Sequence, residues 1–93
     1  MVEQIKSIVE REFGVTDFIV PHRRDKQMIP RHVFSYLLIA YTDLKPEQIG
    51  EIIGRHRTTV YADVNATLSM MDDSRYRDKI SKCIELIINL HSK

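Results

Sequence analysis

The chain has 93 residues, 43% apolar and 29% charged, with a formal net charge of +1, which describes one globular domain over 1–93 rather than a disordered chain. Three glycines and three prolines leave few breaks for a sheet-rich fold, and one cysteine, Cys83, excludes an internal disulfide and fits a reducing compartment. The opening "MVEQIKSIVEREF" has no secretory core and the run "VFSYLLIAY" is too short to cross a bilayer, so a cytoplasmic protein without a membrane partner is expected.

Residues 3–13 place Ile5, Ile8, Val9 and Phe13 at helical spacing, and Gly14 is a natural C-terminal stop. "VTDFIVPHRRDKQMIP" then reads as a connection with a basic middle and a turn near Asp17. Pro30 suits the first position of a second helix running to about Tyr41, with Val33, Leu37, Ala40 and Tyr41 facing inward. Pro46 starts a short third helix whose apolar face is Ile49, Ile52 and Ile53, with Leu44 and Ile49 spaced as a hydrophobic staple. Gly54 supplies a sharp turn. A fourth helix from Arg57 or Thr58 carries the stripe Val60, Val64, Leu68 and Met71. Asp72 and Asp73 read as turn and cap residues before a last helix from about Arg75 to Leu90, built on Tyr76, Ile80, Cys83, Ile84, Ile87 and Leu90. The expected fold is all-α, a compact bundle of about five helices whose third and fourth members form a helix-turn-helix.

No catalytic constellation emerges. The histidines at 22, 32, 56 and 91 and Cys83 lack metal-ligand spacing, and no glycine-rich loop exists to cradle phosphates. Enzyme activity, metals, cofactors and nucleotides are therefore not expected. Charge is distributed unevenly: Arg23, Arg24, Lys26, Arg31, Arg55 and Arg57 lie in two short segments whose one acid is Asp25, a net +5 that leaves −4 on the rest. Such asymmetry suits a basic footprint on a nearly neutral protein. Arg55, His56 and Arg57 also crowd a helix start, where partial positive charge disfavours cations and favours anions. A docked polyanion reverses that penalty. In a DNA groove Arg57, Thr58 and Thr59 would meet base edges and Arg55 a phosphate or base, while the bland alternative is threonine capping and solvated arginines.

"IGEIIGRHRTTVYA" resembles the signature of domain IV, the C-terminal DNA-binding domain of the bacterial replication initiator DnaA. "EREFGV", "HRRDKQMIPRHVFSYLL" and "DDSRYRDKI" resemble, in order, that family's opening helix end, its basic loop with a Pro-Arg pair, and its closing segment, so the resemblance covers about residues 4–88. It implies a Trp-repressor-like helix-turn-helix that binds double-stranded DNA, with a recognition helix in the major groove and a basic loop in the minor groove. Arg24 best matches the family's minor-groove arginine, and the loop is one residue shorter here before "PR". The contact set so implied is Arg23, Arg24, Lys26, Arg31, Arg55, His56, Arg57, Thr58 and Thr59. His56 stands where the family has an aspartate, Arg57 where it has a histidine, and Ala62 at a later histidine. An aspartate accepts from cytosine N4 whereas histidine and arginine mainly donate, so duplex binding is expected without preference for the usual initiator box.

No segment resembles the initiator's ATP-hydrolysing domain. The expectation is a stand-alone, monomeric, nucleoid-associated relative acting in replication initiation, its regulation or transcription regulation. The rival is a helix-turn-helix domain serving as a protein–protein adaptor through the apolar run "FSYLLIAY".

Overall fold

Helices form where apolar residues recur every three or four positions. A computed structural model describes residues 1–16, 18, 19 and 25–91, the side chains of 25–27 excepted. In chain order the helices are α1 (Val2–Phe13), α2 (Asp25–Tyr41), α3 (Pro46–Ile53), α4 (Arg57–Met70) and α5 (Ser74–His91). No strand occurs among the described residues, and the all-α expectation holds. Asp17, Arg23 and Arg24 lie outside the described residues.

The helix ends follow local chemistry. Gly14 takes the left-handed conformation (φ 65°) after α1, and Val15 N–H donates to the Glu10 carbonyl at 3.1 Å, the longer bond of a Schellman motif. Lys45 N–H donates to Gln48 Oε1 at 2.8 Å, satisfying one donor at the start of α3, and Pro46 occupies its first helical position as expected. Asp73 caps α5 by accepting from Arg75 N–H at 2.9 Å.

Helix α2 is the central element, packed against α1, α3, α4 and α5, while α1 packs on α5 and α3 on α4. Its residues Val33, Phe34, Leu37 and Leu38 are wholly buried, so the run that suggested an adaptor surface is largely core. Phe18 meets the Phe34 ring edge-on with centroids 5.3 Å apart, tying the chain beyond α1 to this core. Two expectations for α2 are corrected. The helix begins at Asp25, so Pro30 is its sixth residue and the backbone at Lys26 is helical rather than part of a loop. Proline lacks the N–H that would bond the carbonyl four residues earlier, but this loss falls one turn from the helix end and breaks no central bond. Ala40, expected inside, is exposed.

The inner stripe of α4 is also corrected. Val60 is buried, but Asp63 and Thr67 accompany it, whereas Leu68 is 49% exposed. The reason is a polar cluster on α2. Arg31 Nε and Nη2 donate to Asp63 Oδ2 and Oδ1 at 3.2 and 3.0 Å, and Ser35 Oγ donates to Oδ2 at 3.0 Å. His32 Nε2 lies 3.3 Å from Oδ1. Asp63 is only 1% exposed, and a buried carboxylate survives only when paired and hydrogen-bonded this fully. Thr67 satisfies its own hydroxyl by donating to the Asp63 carbonyl at 2.9 Å, which permits its burial. Helix α4 is therefore rotated to place Asp63, not Leu68, against α2.

Removing one partner of such a pair strands the others in a dry site. Asp63→Ala is expected to lower unfolding free energy by about 3–5 kcal/mol in urea titration. The cluster also carries a pH dependence. Burial lowers the pKa of His32 from its ordinary 6.5, Asp63 raises it and Arg31 lowers it again. Below pH 6.5 the unfolded chain takes up that proton first, so this contribution to stability is full above about 6.5 and declines as pH falls through the folded-state value. The drop in melting temperature between pH 7.5 and 5.5 is expected to be smaller in His32→Gln than in the native chain.

Candidate nucleic-acid interface

The turn between α3 and α4 is built by two glycines with different tasks. Gly54 is left-handed (φ 69°), its N–H donates to the Glu51 carbonyl at 3.3 Å, and Arg55 N–H donates to the Gly50 carbonyl at 2.8 Å. This is a second Schellman motif, and it turns the chain sharply out of α3. Gly50 sits inside α3 where the turn folds back on it: a Cβ there would lie 2.6 Å from the Arg55 carbonyl oxygen and 3.4 Å from Arg57 N. Only glycine allows that approach.

The chain then extends at His56 (φ −72°, ψ 155°), which is the N-cap of α4, the role the sequence offered to Thr58 or Thr59. His56 Nδ1 accepts from Thr58 N–H at 3.2 Å and lies 3.1 Å from Thr58 Oγ1. A ring nitrogen that accepts a backbone N–H is unprotonated, which makes Nε2–H the donor of the neutral ring. Thr58 is exposed and Thr59 half-buried.

Arg55, His56, Arg57, Thr58 and Thr59 thus share one turn at the start of α4, with His56, Arg57 and Thr58 exposed and Arg55 and Thr59 half-buried. Arg55 borders two hollows. One, of about 230 Å³, is lined by Met28, Arg31, Arg55 and Thr59; the other, of about 290 Å³, by Glu47, Glu51, Arg55, His56 and Arg57. Arg31 differs from expectation: it is 9% exposed and its guanidinium grips Asp63, so it borders the site from within. Lys26 lies in the first turn of α2, and Arg23 and Arg24 fall outside the described residues. A larger hollow of about 390 Å³, bordered by Ile8, Leu86 and Leu90, lies between α1 and α5, away from this turn.

Besides the close approach at Gly50, reading the sequence missed an acidic partner of this turn. Glu47, on the first turn of α3, accepts from Arg57 Nη1 through Oε1 at 3.2 Å. Its own backbone N–H and then Arg57 hold its carboxyl below the usual carboxylate range, so it is ionised at neutral pH. An acid in a helix's first turn is ordinary, and nothing in the spacing signals a partner ten residues on. Cys83 behaves as expected of a core thiol: it is buried, and desolvation followed by the Glu12 charge pushes its pKa up to about 12. Among the described residues no cluster of His, Cys, Asp or Glu is placed to hold a metal, and no helix is long and apolar enough to cross a membrane.

A short helix, a left-handed glycine turn and a second helix with its first turn exposed define a helix-turn-helix domain. The family model described as bacterial dnaA protein helix-turn-helix matches residues 2–66, and the chain belongs to that family. Over 93 residues it is 33% identical to the chromosomal replication initiator protein DnaA of Borreliella burgdorferi (strain B31), covering 95% of this chain and 18% of that protein. Against the protein of the same name from Borrelia turicatae it is 32% identical over 96 residues, covering 99% and 18%. The chain thus spans less than a fifth of the length of these relatives.

The close approach at Gly50 yields a test with a diagnostic sign. Within a helix alanine is ordinarily favoured over glycine by about 1 kcal/mol. Here the new methyl meets a backbone carbonyl, so Gly50→Ala is expected to destabilise by about 1–3 kcal/mol, read from thermal or urea unfolding.

Proposed function

We propose that the chain is a double-stranded DNA-binding module, with the first turn of α4 in the major groove and the basic segment 23–26 reaching the minor groove. The observation that carries this reading is the turn Arg55–Thr59 at the start of α4, with His56, Arg57 and Thr58 exposed, in a chain of the dnaA helix-turn-helix family. Cations at a helix start are locally unfavourable, and phosphates and base edges neutralise them. Arg57 is the bidentate reader of guanine O6 and N7, Thr58 a hydroxyl or methyl contact, and Arg55 a phosphate or base contact. Thr59 lines the hollow beside Arg55 and is taken as a further backbone or base contact. Arg31 acts as a positioning residue that fixes α4 on α2.

His56 explains the expected change of target. Its Nδ1 keeps the capping role that an aspartate oxygen would fill, but its remaining ring atom donates instead of accepting. A cytosine N4 donor is therefore a poor partner and a guanine or phosphate acceptor a good one. Because relatives carry the name chromosomal replication initiator protein, we place the chain's role in replication initiation or its control, at DNA sites other than the usual initiator box.

Fluorescence anisotropy with labelled duplexes tests this. If about four to six phosphates are neutralised, log K falls with log[salt] at a slope of roughly −4 to −5. Arg57→Ala is expected to weaken the best site by about 1–3 kcal/mol and flatten preference at one or two base pairs. Lys26→Ala should weaken all duplexes alike and reduce the slope by about one. Absence of binding to any duplex at low salt would refute the reading.

A further inference from the structure

Glu47 is out of place on a surface that meets DNA. It is 54% exposed, ionised, and set on the first turn of α3, where it holds the side chain proposed to read bases. Its contact with Arg57 is single-pronged, Nη1 to Oε1 at 3.2 Å, and Arg57 is 55% exposed. Glu51 lines the same hollow, so two carboxylates stand among Arg55, His56 and Arg57.

We propose that Glu47 is a specificity-determining residue: it withholds Arg57 from phosphates and yields it only to a base edge with two acceptors. The inference rests on the DNA-binding reading above. The magnitudes support it. An exposed ion pair shifts an equilibrium by no more than about fivefold, which is comparable to what one exposed phosphate contact offers an arginine. On random sequence, exchanging Glu47 for a phosphate therefore gives little. A bidentate arginine–guanine contact discriminates by roughly five- to 150-fold, and it outcompetes the glutamate. Weak alternatives are suppressed and the strong one is retained, which raises the ratio of specific to non-specific binding.

Position and chemistry both favour this over simple helix stabilisation. An acid anywhere in the first turn complements the α3 dipole, but only one that reaches across the turn to α4 meets the guanidinium of Arg57. The charge lies where it opposes phosphates, so a general gain in affinity is being forgone. Its neutral counterpart, glutamine, keeps the length and a hydrogen-bond acceptor while removing the competing charge.

The test is a set of anisotropy titrations at fixed salt on two duplexes: the best site selected from a randomised pool, and a random-sequence duplex. Native protein, Glu47→Gln, Arg57→Ala and the double variant are compared, with circular dichroism melting to verify that each is folded. Glu47→Gln is expected to bind the random duplex about two- to fivefold tighter and the best site nearly unchanged, so the specificity ratio falls by that factor. In the Arg57→Ala background the same substitution should have little effect on either duplex. Equal gains on both duplexes that persist without Arg57 would reduce Glu47 to a repulsive surface charge and overturn the proposal, as would no gain at all. A native protein that binds neither duplex refutes the DNA-binding reading itself, and this inference with it.

Discussion

The buried carboxylate of Asp63 is the constraint on which the arrangement of the helix-turn-helix depends. It projects from α4 into a face of α2 that carries Arg31, His32 and Ser35, and it takes hydrogen bonds on both oxygens. Apolar packing alone would tolerate small rotations of one helix on another, because dispersion has little directionality. A forked guanidinium–carboxylate contact at 3.0 and 3.2 Å does not. The rotation of α4 about its own axis sets which side chains of its first turn face outward. Thr58 is outward and Thr59 partly inward because Asp63, five and four residues further on respectively, is held against α2.

This division of labour separates two kinds of cation. Arg31 is turned inward and neutralised by Asp63; Arg57 is exposed and paired with Glu47, and the half-buried Arg55 lines a hollow with Glu47 and Glu51. The result is a turn whose charges are nearly balanced in the free chain. On a near-neutral chain, such a turn by itself exerts little long-range attraction on polyanions.

Much of this was readable from residues alone, and most of the failures share one cause. The limits of α1, α3, α4 and α5, the left-handed stops at Gly14 and Gly54 and the inner residues Ile80, Cys83 and Ile87 all follow from spacing and local cap chemistry. The stripe of α4 was misjudged because a pattern of apolar residues cannot register a polar side chain that is buried by a partner 32 positions earlier. Arg31, read as a surface cation, was misplaced by the same pair. Glu47 and Gly50 escaped notice for a related reason: their roles arise from the fold-back of the turn, a distance that no local rule encodes. Pro30 was placed too early because its preference for a helix start is strong, while a helix that extends one turn further loses only a peripheral hydrogen bond.

The burial of Cys83 has a practical and chemical consequence. It is the one thiol of the chain, enclosed in the face of α5 toward the core, and its deprotonation is pushed to about pH 12. Thiolate is the species that attacks alkylating reagents and disulfides, so burial and a raised pKa both slow these reactions of the folded chain at neutral pH. Reaction at that sulfur requires the core around α5 to open, which makes its rate a clock for fluctuations where α5 packs on α1 and α2. A second cysteine placed on the outer face of α4 would then be modified alone, giving a single reporter at the surface where a duplex would arrive.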